Sequence, residues 1–306
     1  MKGIIVYFSQ TGNTKKIAQA VQRGMERVLD QCDMAKLIKG LEVNPYDLRK
    51  YDVIGLGSAI IWGPPENVRT FIDSMPPSLK GKHIFAFTTH GTYPHDFLPR
   101  VARLLTRKGL VVIGTNDWFG SAILPSFPKP YFTDGHPDDV DLKEAEDFGR
   151  EMAERSRRIY AGETELIPPL PELFRPLPKW PPILTGKSGE QFKYHKEKCN
   201  YPKCTLCIDN CPWDAIDLSA PQPYICRNGG VCTWCEKICP TGAIEFNYES
   251  RVPEHREMIK TLLIPSLEAM EASGRFRRLV PKDKIGWDTP YFKVHDKHPR
   301  EKVLKD

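Results

Sequence analysis

The feature that most constrains this chain is a crowding of cysteines in its second half. Eight of its nine cysteines fall within one stretch that begins at Cys199 and ends at Cys239. They form two runs, Cys199-x4-Cys204-x2-Cys207-x3-Cys211 and Cys226-x5-Cys232-x2-Cys235-x3-Cys239. A proline follows each run directly. In a protein that is not exported, such crowding indicates metal ligation before disulfide bonds.

The two runs are copies of each other. The segments CTLCIDNCPWDAI and CTWCEKICPTGAI are offset by 28 positions and match beyond their cysteines. Bacterial-type 4Fe-4S binding uses such runs, with three thiolates from one run and the fourth, before proline, reaching the other cluster. The pattern therefore predicts two 4Fe-4S clusters. The predicted ligand sets are Cys199, Cys204, Cys207 and Cys239 for one cluster, and Cys226, Cys232, Cys235 and Cys211 for the other.

A pair of structural zinc sites is the alternative interpretation, because zinc also binds C-x2-C pairs. Zinc does not explain the x3-Cys-Pro endings that recur in phase, so iron-sulfur binding is favoured. The first gaps, x4 and x5 where x2 is usual, make Cys199 and Cys226 the less typical ligands. Cys32 stands apart and is expected to be an ordinary small residue.

The first 160 residues alternate between apolar runs and helical patterns. The runs that predict strands are GIIVYF (3–8), DMAKLI (33–38), DVIGLGS (52–58), KHIFAFTT (82–89) and LVVIGTND (110–117). Helical spacing follows the first run and recurs at Pro65–Asp73, Phe97–Lys108 and Asp138–Tyr160. Nearly continuous apolar strands alternating with helices predict an α/β fold with a doubly wound parallel sheet.

Proline density marks a domain boundary. The stretch from Ile167 to Gly189 has too many prolines for a helix or a central strand and predicts an extended, semi-rigid linker. The predicted division is residues 1–162, a linker 163–190, a small cysteine domain 191–250, and a helical segment with a basic tail 251–306. The helical segment contains Pro265, a candidate kink. Trp118–Pro137 is an unusually long loop.

Composition excludes several classes of protein. No signal peptide opens the chain and no apolar run is long enough to cross a membrane, so a cytoplasmic location without a transmembrane segment is expected. The formal charge of +5 is modest and spread over the chain, which gives no indication of nucleic-acid binding.

A polar loop lies between the first predicted strand and the first helix. It supplies hydroxyl, amide and glycine groups at Ser9, Thr11, Gly12, Asn13 and Thr14. Backbone N–H groups and the helix dipole suit a phosphate at such a place. The alternative is a simple turn that caps the helix.

In its βα setting, S-x-T-G-N-T resembles the FMN phosphate loop of flavodoxins. Two later loops resemble those that clasp the isoalloxazine ring in that family: Ser58, Ala59, Ile60, Ile61, Trp62 and Gly63, and then Thr88, Thr89, His90, Gly91 and Tyr93. The resemblance implies a flavodoxin-like sheet of order 2-1-3-4-5, one FMN, and Trp62 and Tyr93 beside the ring. The alternatives are that either ring packs on its own loop and that His90 is solvated.

Together the two halves resemble the flavodoxin-ferredoxin fusion proteins of anaerobic bacteria and archaea, which implies a small α+β ferredoxin-like second domain. The implied function is relay of low-potential electrons between FMN, two 4Fe-4S clusters and protein donors and acceptors, within one chain or across a homodimer. No GxGxxG follows a strand, so a nicotinamide dinucleotide is not expected. The alternative is an FMN-dependent reductase for a small organic or corrinoid substrate, fed through the clusters.

Overall fold

The computed structural model describes residues 1–37, 43–60, 63–122, 124, 126–173, 192–226, 232–249 and 252–289. These residues divide into two compact units. The first contains described residues of Met1–Ser121 and Gly135–Leu177, and the second those of Ala122–Asp134 and Pro178–Asp306. Ile61, Trp62, residues 174–190 of the predicted linker and the tail 290–306 lie outside the described residues.

The first unit contains a five-stranded parallel sheet. Its strands are β1 (Lys2–Phe8), β2 (Gln31–Lys36), β3 (Val53–Ala59), β4 (His83–His90) and β5 (Val111–Phe119). Its helices are α1 (Asn13–Glu26), α2 (Glu66–Asp73), α3 (Phe97–Arg107) and α4 (Asp139–Tyr160). The order β2-β1-β3-β4-β5 confirms the predicted order. Because the strands are parallel, the loops after β1, β3 and β4 leave the same edge of the sheet.

The strands of this sheet are buried on both faces, as continuous apolar runs require. All of β4 is buried, and so are most residues of β1 and β3. A Cβ on Gly55 would lie 2.6 Å from the Phe85 ring, and one on Gly57 would lie 2.2 Å from the Phe87 ring. Because Gly55 and Gly57 have no side chains, β3 leaves room for two rings of β4.

Helices α1 and α4 touch through their backbones. A Cβ added to Gly24 of α1 would lie 1.9 Å from the carbonyl oxygen of Glu146 in α4. A Cβ added to Gly149 of α4 would lie 2.1 Å from the carbonyl oxygen of Val21 in α1. This close approach of the two backbones fixes the position of α1. The first turn of α1 directly follows the polar loop, so the approach also positions that loop.

The segment between β5 and α4 leaves the first unit. Ala122–Asp134 clusters with the second unit, although the bounds inferred from sequence place it in the first domain. Three of its rings are buried, those of Phe127, Tyr131 and Phe132. Its buried Ser126 Oγ shares a hydrogen bond with Nδ1 of His255 in the second unit. This segment therefore serves as core of the second unit.

The second unit is built from short elements. Its strands are β6 (Phe192–Tyr194), β7 (Ile216–Asp217), β8 (Tyr224–Ile225) and β9 (Ile244–Phe246), and β6 pairs antiparallel with β9 and β7 with β8. Its helices are α5 (Leu206–Asp209), α6 (Trp234–Ile238), α7 (Val252–Met258) and α8 (Ile264–Ala272). A π-helical turn, Ile259–Leu263, joins α7 to α8 just before Pro265. Across the described stretches, no helix has the length and apolar character needed to span a bilayer.

The basic segment that follows α8 is partly neutralised within its own unit. Arg278 forms an ion pair with Glu271 at 2.5 Å, and Lys282 forms one with Glu268 at 2.6 Å. Less of its positive charge is therefore available to a partner than the sequence indicates.

Candidate cofactor sites

The loop after β1 leaves the start of α1 open to an anion. Gly12 is the N-cap residue, with a φ of 93°, and no side chain caps the helix. The Gly12 N–H donates to Ser9 Oγ at 3.2 Å, which folds the loop back on itself. A Cβ on Gly12 would meet nothing within 4 Å, so the loop faces open space. The first turn carries no acidic residue, and its N–H groups and dipole suit a phosphate.

Hydrogen bonds tie this loop to its neighbours at the same edge of the sheet. Thr14 Oγ1 and Thr89 Oγ1 lie 2.8 Å apart, and both side chains are buried. The Ile60 N–H donates to the Thr89 carbonyl at 3.1 Å. Asn13 Nδ2 donates to the Ser121 carbonyl at 3.3 Å. The chain segments that follow β1, β3, β4 and β5 therefore come together in one place.

Some of the predicted flavin residues already form hydrogen bonds or ring contacts within the protein. Ser58 Oγ donates to the Ala59 carbonyl and Thr88 Oγ1 to the Ser58 carbonyl, both at 2.8 Å. The Tyr93 ring stands edge-on to His95 of its own loop, with ring centres 4.9 Å apart. Burial lowers the pKa of His95 to about 4, so this neighbour of Tyr93 is neutral near pH 7. Among the remaining predicted residues, Thr11 is exposed, and Gly63 and Gly91 are half-buried.

His90, at the end of β4, is buried instead of solvated. Its side chain is 2% exposed and its Nε2 lies 2.9 Å from Oδ2 of Asp117. Its Nδ1 is buried and has no hydrogen-bond partner in the described part of the chain. An unsatisfied buried nitrogen fits a site that holds a polar ligand. Asp117 was not anticipated, although its position near the end of β5 places it at the predicted edge.

The eight clustered cysteines surround two cavities. The first cysteine cavity is lined by Cys199, Cys204, Cys207 and Cys239. The second cysteine cavity is lined by Cys211, Cys226, Cys232 and Cys235. The sequence predicts the same two sets, with Cys211 and Cys239 exchanged between the runs. Cys32 is buried elsewhere, in the core of the first unit.

Backbone N–H groups point at the exchanged cysteines in equivalent ways. The Ala215 N–H donates to Cys211 Sγ at 3.4 Å, and the Ala243 N–H donates to Cys239 Sγ at 3.2 Å. Both bonds span four residues, as expected from a repeated Cys-Pro-x-x-Ala turn. N–H···S bonds favour the thiolate, which is the form that ligates a metal.

Burial makes the thiols around these cavities hard to ionise together. Burial and then the charges of neighbouring cysteines raise the pKa of Cys207 to about 12. Burial also raises the pKa of Cys235 well above its usual value. At Cys239 burial again raises the pKa, but hydrogen bonds from Thr241 and Ala243 outweigh it and the net shift is downward. Four thiolates in so buried a space need a positively charged centre, so the donor sets fit a metal cluster.

Comparison with known proteins gives a match to one family and matches to two further proteins. Residues 4–107 match the family described as "Flavodoxin domain". A stretch of 54 residues is 32% identical to an uncharacterized ferredoxin of Methanocaldococcus jannaschii and covers 17% of this chain and 86% of that protein. An uncharacterized protein of the same organism is 25% identical over 157 residues, which are 50% of this chain and 98% of the relative.

Two solved flavodoxins also match this chain. A flavodoxin from the domain Archaea is 23% identical with a TM-score of 0.40, over 51% of this chain and 99% of that one. The two-electron reduced flavodoxin of Megasphaera elsdenii is 21% identical with a TM-score of 0.38, over 50% of this chain and 98% of that one. The matched family and the observed strand order agree, and the N-terminal half of the chain is therefore a flavodoxin-like domain.

Proposed function

We propose that the chain is an electron carrier that relays electrons between one FMN in the first unit, two 4Fe-4S clusters in the second, and protein partners. A flavodoxin-like domain implies an FMN-binding role in electron transfer. The observation that carries the rest is the grouping of eight cysteines around two cavities, four to each. FMN exchanges electrons singly or in pairs, whereas each cluster carries one.

The residues of the first unit have distinct roles in this proposal. Ser9, Thr11 and the first N–H groups of α1 bind the phosphate, while Gly12 leaves room for it. The bond between Thr14 and Thr89 holds the phosphate loop against the end of β4. His90, oriented by Asp117, presents Nδ1 to a polar atom of the flavin ring.

The alternative, direct reduction of a small substrate beneath the Trp118–Pro137 loop, has less support. That loop would need side chains free to cover a substrate. Phe127 and Tyr131 are instead buried in the second unit, with ring centres 5.0 Å apart. We therefore propose proteins as electron donor and acceptor.

Cofactor content tests the proposal directly. Protein purified without oxygen is expected to contain one FMN and about eight irons with matching sulfide per chain, because one phosphate loop and two complete cysteine sets exist. Metal analysis, sulfide analysis and the optical spectrum measure this. Zinc in place of iron would contradict the clusters, since four thiolates also suit zinc.

The phosphate loop is tested by replacing Thr11 with Leu. The side chain is exposed, so the fold should tolerate the change, but a hydroxyl donor is lost and an apolar group meets the phosphate. FMN affinity is expected to fall about tenfold or more, with iron content unchanged. Thr70→Leu, an exposed threonine on α2, is the matched control and should retain FMN. Loss of iron together with FMN would show that the two units depend on each other.

A further inference from the structure

The two cysteine cavities occupy equivalent places in the internal repeat but have different linings. Residues 28 positions apart correspond between the two runs. The first cavity has Leu206 and Thr241 where the second has Trp234 and Trp213. The Thr241 hydroxyl already lies near a thiol, 3.7 Å from Cys239 Sγ. The second cavity is therefore the more aromatic of the two.

Trp213 brings a polar group to this aromatic lining. Its indole Nε1 is buried and has no hydrogen-bond partner among the residues described. An indole N–H can only donate, and a buried donor that is left unpaired loses the hydrogen bond it would make in water. Trp213 lines a cavity that is also lined by four cysteines. A sulfur acceptor in that cavity would remove this cost.

We propose that the Trp213 indole N–H donates a hydrogen bond to a sulfur of the cluster held in the second cysteine cavity, and so makes the two clusters inequivalent. This inference rests on the proposed 4Fe-4S clusters. Only the kind of donor differs between the two sites: the second has an indole N–H, whereas the equivalent residue of the first, Thr241, has a hydroxyl that lies 3.7 Å from Cys239 Sγ.

The expected consequence is a higher reduction potential for the second cluster. When a one-electron protein donor reduces it, the cluster gains one electron and one negative charge, and no bond breaks. A hydrogen bond to sulfur becomes stronger as that charge increases, so it favours the reduced form. Trp213 would thus bias electrons toward the second cluster.

Trp213→Phe tests the inference because it removes the N–H and keeps an aromatic ring. In the full chain, the equilibrium constant for reduction of one cluster is expected to fall about tenfold, which is about 59 mV for one electron. The other cluster should keep its potential. A redox titration followed by electron paramagnetic resonance measures both. Trp234→Phe is the matched control, since Trp234 lines the same cavity without a buried unpaired nitrogen, and both potentials should stay close to those of the unsubstituted protein.

A second measurement detects the hydrogen bond itself. Protein labelled with 15N in its tryptophan indoles should show a nitrogen coupling to one reduced cluster, and Trp213→Phe should abolish it while Trp234→Phe retains it. Unchanged potentials in a Trp213→Phe variant with full iron content, or no such coupling in the unsubstituted protein, would overturn the inference and leave the carrier proposal intact. A chain without iron would instead overturn the carrier proposal itself.

Discussion

Replacing Cys207 and Cys235 together with Ala is expected to remove both clusters and leave FMN bound. The two cysteines line different cavities, so each substitution takes one thiolate from a set of four. Iron should fall from about eight per chain to nearly none, because a cubane that lacks a ligand at one corner is released. The flavin spectrum should persist, since the proposed phosphate loop lies in the other unit. Reduction of FMN by a one-electron protein donor should stop, whereas dithionite should still reduce it.

The single substitutions and the ninth cysteine provide the controls. Cys207→Ala alone and Cys235→Ala alone should each remove about half of the iron, since each affects one set. Cys32→Ala should leave iron unchanged, because Cys32 is buried in the first unit, near the Met25 sulfur. If the double variant exchanges electrons with its partner at the original rate, the relay is wrong and the flavodoxin-like domain works alone.

Gly149→Ala and Gly24→Ala are each expected to destabilise the first unit severely. In an ordinary helix interior, Gly→Ala stabilises by about 1 kcal/mol. Here the new methyl group would overlap a backbone carbonyl of the facing helix, which no side-chain rotation relieves. The free energy of unfolding should fall by about 3 kcal/mol or more as α1 and α4 separate. Denaturant unfolding followed by flavin release measures the loss.

Lys16→Ala, an exposed position on α1, is the control for these glycine substitutions. It should change the free energy of unfolding by no more than about 0.5 kcal/mol. A stabilised Gly149→Ala protein would mean that the two helices do not approach as closely as described.

Much of the sheet could be predicted because its strands are short apolar runs with both faces buried. The pattern of β4 is an example: every residue is buried, so no alternation obscures the strand. The grouping of the cysteines around two cavities could be predicted for a different reason, since the repeat shows which residues correspond, while their binding of clusters stays a prediction. In one case the signal is a local run of apolar residues, and in the other it is a repeat 28 positions apart.

The features that the sequence did not indicate depend on contacts between distant residues. From the sequence alone, His90 looks like a solvated loop histidine. In the structure its Nε2 pairs with Asp117 of the next strand. From the sequence alone, Trp213 and Trp234 look like ordinary aromatic residues. In the structure both line one cavity that residues of the two cysteine runs form together. The path of Ala122–Asp134 depends on His255, which is more than 100 residues further along the chain. No local periodicity contains such information.

Ala122–Asp134 belongs to the second unit but lies between two segments of the first. No single cut in the chain can therefore separate the two units. Between Met1 and Pro178 the polypeptide enters the second unit, returns to the first, and only later continues into the second. A protein truncated at the proline-rich segment would keep Phe127 and Tyr131 but lose the residues that bury them, and exposed rings of this kind promote aggregation. A chimera in which one unit is replaced by the corresponding unit of another protein would also leave these rings without the residues that bury them. The two units therefore have to be expressed and engineered together, unless Ala122–Asp134 is first replaced by a short polar turn.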